Sequence, residues 1–321
     1  MKFIGMSNKI ILLLFVAMLL LFAAGCGGSG QDQSGDESAL QNHVASQQDA
    51  FPLTIVDSLN REVVIESEPG KIISLSPAIT EILFAIGVAD SIVGVTDYCD
   101  YPAEALQKPK VGSFQTPNLE LIVGSEPDLI FTAAGIQEDF IKQFDQLGIN
   151  VVVLDARNID QVIENIHLAG QVTGAIAKSS EVVEDIQQRV ANVKERIDRT
   201  ETKPTIFFEV WDDPLMTAGP GSFIDDLISI AGGSNIAGDT TEEFTEFNRE
   251  MLLARNPEIY IINSHAHKPE DIKSRPGFAG LNAVREDQVY SIEDDLVTLP
   301  GPRLIEGLEQ MAKIIHPEVF S

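Results

Sequence analysis

The sequence predicts an α/β protein of two lobes bridged by one long α-helix. Three observations predict it. Short apolar runs alternate with helical patterns early in the chain and again late in it, one unbroken amphipathic stretch separates the two regions, and a local pattern of the first region recurs in the second. The expected division is an N-terminal lobe over 51–157, a bridging helical segment over 158–202 and a C-terminal lobe over 203–321. The chain of 321 residues, 44% hydrophobic and 22% charged, is long enough for two packed lobes and too apolar for whole-chain disorder.

Residues 1–25 stand outside this division. Lys2 and Lys9 flank the start of an apolar run, 10–24, that closes in Ala23, Ala24 and Gly25 before Cys26. Such a run is shorter than the roughly 20 residues a membrane-spanning helix needs, and it reads as a secretion signal. Small residues directly before a cysteine resemble the lipobox of bacterial lipoproteins, although Ala23 stands where leucine is usual. Cys26 is therefore the expected lipid anchor. Residues 26–50, rich in Gly, Ser, Gln and Asp, have the composition of a flexible tether.

In the N-terminal lobe, alternation on both sides of Ser58, Leu59, Asn60 and Arg61 predicts a β-hairpin over 51–65. A short strand over 71–75 leads through Ser76 and Pro77 into a helix that Gly87 stops. Apolar runs at 92–95, 129–131 and 151–154 alternate with helical patterns at 119–124 and 138–147, as in a mostly parallel sheet. Over 176–200 the apolar residues Val183, Ile186, Val190, Val193 and Ile197 step by three and four. That stretch would make a helix about 38 Å long, enough to run between lobes. The alternation resumes with strands at 205–210, 259–262 and 288–292, a helix over 222–231, and a final helix after Pro302.

The recurrence is ungapped. Asn118, Glu120 and Pro127 of one segment fall on Asn248, Glu250 and Pro257 of another, each segment reading as an Asn-capped short helix, a proline and a buried strand. A second, weaker match relates 80–87 to 225–232. Both occur in the same order.

Together with Ser74-Leu75-Ser76-Pro77, Thr96-Asp97-Tyr98-Cys99-Asp100-Tyr101-Pro102 and Pro300-Gly301-Pro302-Arg303, this order resembles the helical-backbone class of ABC-transporter substrate-binding proteins, closest to its cobalamin and iron-chelate binders. The resemblance covers nearly all of 51–321. It implies two α/β lobes on one long helix, a ligand held between them, limited hinge closure, and delivery to an ABC permease driven by a cytoplasmic ATPase. It also implies that Glu120 and Glu250 dock into basic pockets on the two permease subunits. Placement at a helix start alone favours a glutamate, so helix-dipole stabilisation is the other reading of these two residues.

By family position, Tyr98, Phe114, Trp211 and Phe244 are the expected ligand-binding aromatics; Tyr101 and Phe247 lie nearby. Each sits at or beyond a strand end, where α/β sheets bind ligands, and a planar macrocycle needs such faces to stack on. The expected ligand is cobalamin, with a ferric siderophore or haem as the alternative, because Ala133-Ala134-Gly135 offers no further aromatic. His265 and His267 could chelate a metal or ligate a bound chelate, or stand as surface histidines of a polar loop. Arg303 could meet an anionic ligand group or Glu306. Asp294 and Asp295 read as a solvated loop, and Cys99 as a small packed residue.

Charge and motifs bound the remaining functions. With 49 acidic and 22 basic side chains the formal net charge is −27, which repels nucleic acid. Two cysteines supply no disulfide framework and no four-thiolate site. Gly219-Pro220-Gly221 begins a dinucleotide fingerprint, but Ile224 stands where its third glycine belongs, and neither a nucleophile elbow nor a zinc-protease helix is present. The expectation is a binding protein without catalytic residue, metal or cofactor, monomeric when free and lipid-anchored on the outer face of the cytoplasmic membrane. A cell-surface enzyme or signalling domain is the alternative of another class.

Overall fold

The computed structural model describes residues 51–320 apart from 136, 137 and 266; of residues 138 and 139 it describes the backbone alone. The expected signal, tether and Cys26 lie outside the described residues.

The chain opens with the antiparallel hairpin β1 (Leu53–Val56) and β2 (Glu62–Ile65). There follow β3 (Ile72–Ser74), α1 (Pro77–Ala85), β4 (Ile92–Val95), α2 (Leu119–Gly124), β5 (Leu129–Thr132), α3 (Glu138–Gln146) and β6 (Asn150–Val153). These strands form a parallel sheet in the order β4-β3-β5-β6. Asp57 fastens the hairpin to it: its carboxylate accepts from Arg61 at 2.7 Å and from the Val153 amide at 3.2 Å. The strands read as short apolar runs because both faces are covered. Ile72, Leu129 and Phe131 share a core with α1, whereas Ile73 and Ile130 face α2 and α3 through Ile122, Ile141 and Phe144.

The bridging segment is a pair of helices. After α4 (Ile159–Val172), Gly174 turns the chain at φ +72° into α5 (Ile176–Ile197). The long helix thus has 22 residues and stops three short of the expected end, where the Thr200 hydroxyl and amide both bond back to the Ile197 carbonyl.

The second lobe comprises β7 (Thr205–Asp212), β8 (Leu215–Ala218), α6 (Phe223–Ile230), β9 (Ser234–Asn235), β10 (Phe244–Glu246), α7 (Arg249–Arg255), β11 (Ile259–Asn263), α8 (Pro269–Ser274), α9 (Asn282–Arg285), β12 (Val289–Ile292), α10 (Asp295–Thr298), α11 (Leu304–Ile315) and α12 (Pro317–Phe320). Its sheet runs β10-β8-β7-β11-β12, with β9 also on β7. Unlike the first, this sheet is mixed. The link from β7 to β8 is too short for a crossover, so β8 returns antiparallel and β10 pairs antiparallel with it.

The internal match is a structural repeat. Asn118 Oδ1 accepts from the Leu121 amide at 3.1 Å and Asn248 Oδ1 from the Glu250 amide at 2.7 Å, so both helices carry the expected cap. Each is ended by a left-handed residue directly before the proline, Glu126 at φ 49° and Asn256 at φ 46°. Beyond the prolines, Asp128 accepts from the Lys71 amide at 2.8 Å, and its counterpart Glu258 accepts from the Thr205 amide at 2.8 Å. In both lobes a carboxylate thus ties the start of β5 or β11 to the neighbouring strand.

One continuous apolar core runs through both lobes. It joins α1 and α4 to Val183, Ile186 and Val193 of α5 and on to α6 and α11. Across this seam Arg303, at the start of α11, donates to both carboxylate oxygens of Glu81 on α1, at 3.0 and 2.6 Å. This corrects the expected pairing with Glu306: Glu81 is buried and faces Arg303 from the other lobe, 222 positions away. Burial opposes the guanidinium charge, but the hydrogen bonds and charge of Glu81 raise the Arg303 pKa above the ordinary arginine value. Removing one partner leaves a buried charge unpaired. Arg303→Ala is expected to cost about 3–5 kcal/mol in urea unfolding, and a double-mutant cycle with Glu81→Ala to show that the two losses do not add.

Candidate functional site

The expected aromatics stand on two separate constructions, Tyr98, Phe114 and Trp211 at or beyond a strand's carboxyl end and Phe244 at the start of β10. In the first lobe, the loop after β4 holds Tyr98, which is 70% exposed. Its neighbour Cys99 is fully buried, as a packed residue should be, and takes hydrogen bonds from Thr80 at 3.2 Å and with Thr96 at 3.1 Å. Lys110 Nζ donates to the Cys99 carbonyl at 2.8 Å. The loop is thus fastened on both sides of an exposed ring.

Phe114 lies on the adjoining loop, half-buried. That loop closes on itself through a Gly112–Pro117 bridge and a 2.8 Å bond between the Ser113 and Thr116 hydroxyls. Gly112 has φ +100°, and a Cβ there would lie 2.8 Å from the Asn118 nitrogen, so the turn requires glycine. The Asp97 amide donates to the Gly112 carbonyl at 2.9 Å, which stitches the Tyr98 and Phe114 loops together.

In the second lobe, β7 shifts register against β8 between Glu209 and Trp211. Such a bulge re-aims a side chain. Trp211 is 54% exposed, with its indole nitrogen held by the Asp213 carbonyl at 3.1 Å. Phe244 sits across β8, paired with Ala218, and is 44% exposed. Trp211 and Phe244 line one hollow of about 450 Å³ together with Val210, Asn263, His265, Asp294 and Thr298. Below the bulge, Glu209 is buried and receives Arg275 at 2.7 and 2.9 Å and the Tyr260 hydroxyl. This network fixes β7 directly before the tryptophan.

Several expectations change. Phe247 belongs to the core, 3% exposed, with its ring centroid 5.2 Å from that of Phe207. Tyr101 lies under the Arg303 guanidinium at 3.9 Å. The two histidines do not act as a pair: His267 Nε2 meets Asp212 at 3.0 Å, whereas His265 lines the hollow. Among the described residues no group of three His, Cys, Asp or Glu side chains is arranged to hold a metal ion. Asp294 and Asp295 are not a solvated loop but the start of α10; burial raises the Asp294 carboxyl above the ordinary aspartate value, against the pull of His265. The four preferred aromatics therefore fall into two pairs, one per lobe.

Glu120 and Glu250 are exposed in the first turns of α2 and α7. Beside them the matched residues Leu121 and Met251 are 50% and 42% exposed, and Val123 and Leu253 are likewise exposed. Each helix commits a single apolar residue, Ile122 or Leu252, to burial.

Glu81, Glu209, Asn263 and Arg275 were not singled out by the sequence. The glutamate inside the otherwise apolar run Thr205-Ile206-Phe207-Phe208-Glu209-Val210 was the one available signal, since a buried carboxylate demands a partner.

Comparison with known proteins agrees with this architecture. The chain is 34% identical over 316 residues, 96% of each chain, to a Bacillus subtilis protein named uncharacterized ABC transporter substrate-binding lipoprotein YvrC. It is 27% identical to a cobalamin-binding protein of Halobacterium salinarum, over 83% of this chain and 75% of that one. The crystal structure of the periplasmic vitamin B12 binding protein BtuF of Vibrio cholerae superimposes with a TM-score of 0.69 at 27% identity, covering 78% of this chain and 97% of that one. The profile described as periplasmic binding protein matches residues 72–296, most of the chain. With that match and these relatives, the chain belongs to the periplasmic binding protein family.

Proposed function

We propose that the protein is the substrate-binding component of an ABC importer, which captures a corrinoid, cobalamin, and hands it to a permease powered by a cytoplasmic ATPase. The observation that carries the reading is Trp211. An indole more than half exposed, aimed by a bulge and held at its nitrogen, has a free face beside Phe244 and His265. Such a surface suits stacking on a planar macrocycle. Tyr98 and Phe114 supply the opposing lobe's aromatic pair, and residues 51–157 and 203–321 close on the ligand about the helical segment 158–202. The names of the cobalamin-binding relative and of the vitamin B12 binding structure support this ligand.

Glu120 and Glu250 dock to the two permease subunits. The support is their equivalence: the same cap, the same first-turn position and the same exposed apolar neighbours on a repeated helix. The protein acts by binding and transfer, not by catalysis. Cys26 carries the lipid anchor on the outer face of the membrane, a placement supported by the lipoprotein name of the Bacillus relative.

Three outcomes test this. In calorimetric competition cobalamin should bind in preference to haem and ferric siderophores, with a negative heat-capacity change, and Trp211→Ala should weaken it by about 1–3 kcal/mol, roughly 5- to 150-fold. Tight binding of haem or a siderophore without cobalamin affinity would overturn the corrinoid and leave the importer. Glu120→Arg with Glu250→Arg should abolish cobalamin uptake while its affinity stays at the wild-type value, because like charges then face each other across the interface; normal uptake would remove the docking role. Cys26→Ser should move the intact protein from the membrane fraction to the soluble exported fraction, since stable attachment needs acyl chains.

A further inference from the structure

One hollow of the molecule takes none of Tyr98, Phe114, Trp211 or Phe244. It measures about 810 Å³ and lies between α1, the 101–108 segment, the middle of α5 and the first turn of α11. It meets α1 at Glu81, Phe84 and Ala85, one to two turns beyond the Pro77 end that follows β3. The volume is that of a small-molecule site. Its apolar surface comes from Phe84, Tyr101, Val182, Ile186 and Pro302.

The charges around it are unequally committed. Arg303 is held by Glu81, Arg189 donates to Glu309 at 2.9 and 2.7 Å, and Lys108 Nζ donates to the Ala89 carbonyl at 2.7 Å. The two arginines of the lining are thus neutralised by carboxylates, whereas the lysine is bound to a neutral carbonyl and keeps its charge. Asp90, Glu104 and Glu306 line the same hollow and have no ion-pair partner among the described residues. Acidity is general in this chain, but here it rims an apolar concavity whose two arginines are already paired. Against the one unneutralised cation, Lys108, stand three carboxylates without an ion-pair partner among the described residues, so the hollow favours a cation over an anion.

We propose that this hollow is a second binding site, distinct from the ligand cleft, for an organic ammonium compound with an apolar body. The apolar body fills the surface between α1 and α5, and the ammonium faces the Asp90, Glu104 and Glu306 carboxylates. Because the walls come from both lobes and from the helix that joins them, the site senses their relative placement.

The test uses two probes of one shape and opposite charge, 4-phenylbutylamine and 4-phenylbutyrate, titrated into the protein at low ionic strength by calorimetry. The amine should bind wild type at least about tenfold more tightly than the carboxylate, as expected for a site complementary to positive charge. Neutralising the rim with Asp90→Asn, Glu104→Gln and Glu306→Gln should weaken the amine about tenfold or more. Ala85→Trp, which fills the hollow from α1, should abolish binding, and thermal melts confirm that both variants are folded. Trp211→Ala, altered in the cleft alone, should bind the amine as wild type does. No amine binding to wild type, equal binding of the two probes, an unaffected rim variant, or loss of amine binding in Trp211→Ala would each overturn the proposal; the first two readings need no variant to fold.

Discussion

The placement of one lobe against the other depends on directional contacts, and the Glu81–Arg303 pair is the buried one among them, beside the exposed Arg157–Glu243 pair. The apolar core that runs through α4, α5 and both sheets holds the lobes together, but apolar burial has no preferred direction. A bidentate arginine–carboxylate pair does, since two parallel hydrogen bonds are satisfied in one geometry. Both side chains surrender water to make it, so the pair contributes register more than net stability. Arg303 also lies 3.6 Å from Asp295 and covers the Tyr101 ring. A single guanidinium therefore links α1, the loop that carries the first lobe's aromatics, and the start of α10 beside the second lobe's hollow.

That arrangement explains how exposed aromatic rings are kept in place. Exposed rings gain little from packing, so their positions must be set by what lies beneath them. Under Tyr98 this is a buried thiol flanked by two threonines, with a lysine on the carbonyl; under Trp211 it is a buried glutamate held by Arg275 and Tyr260. The unlike supports do one job. Rings fixed before a ligand arrives lose less entropy on binding it.

The strands, the hairpin and the repeated Asn-capped helices were legible in the sequence because each has a local cause: a period, a cap, a proline. The long helix was legible in the spacing of Val183, Ile186 and Val193. What escaped depends on residues far apart in the chain. Glu81 and Arg303 stand 222 positions apart, Glu209 and Arg275 66 apart, and His267 reaches an aspartate on β7. Strand direction in the second lobe escaped for a related reason, since β8 and β10 are short and lack the alternation that marks a half-exposed strand. Of the site, local pattern identified residue types near strand ends; only the family resemblance separated Phe244, which stays exposed, from Phe247, which packs against Phe207.

The acidity of the chain constrains any docking surface built on it. With a formal charge of −27, a single exposed carboxylate carries no information, because the surface offers many. Screening limits each charge to about 8 Å at physiological salt, so a partner reads local groups rather than the overall field. A repeat supplies what a lone charge cannot. Glu120 and Glu250 occur with the same helix cap, the same left-handed stop and the same exposed apolar neighbours on α2 and α7. A partner with two equivalent receiving surfaces can engage both at once, and the second contact then forms at high effective concentration. Recognition by such a pair requires that the spacing of the lobes vary little, which returns the constraint to the buried pair between α1 and α11.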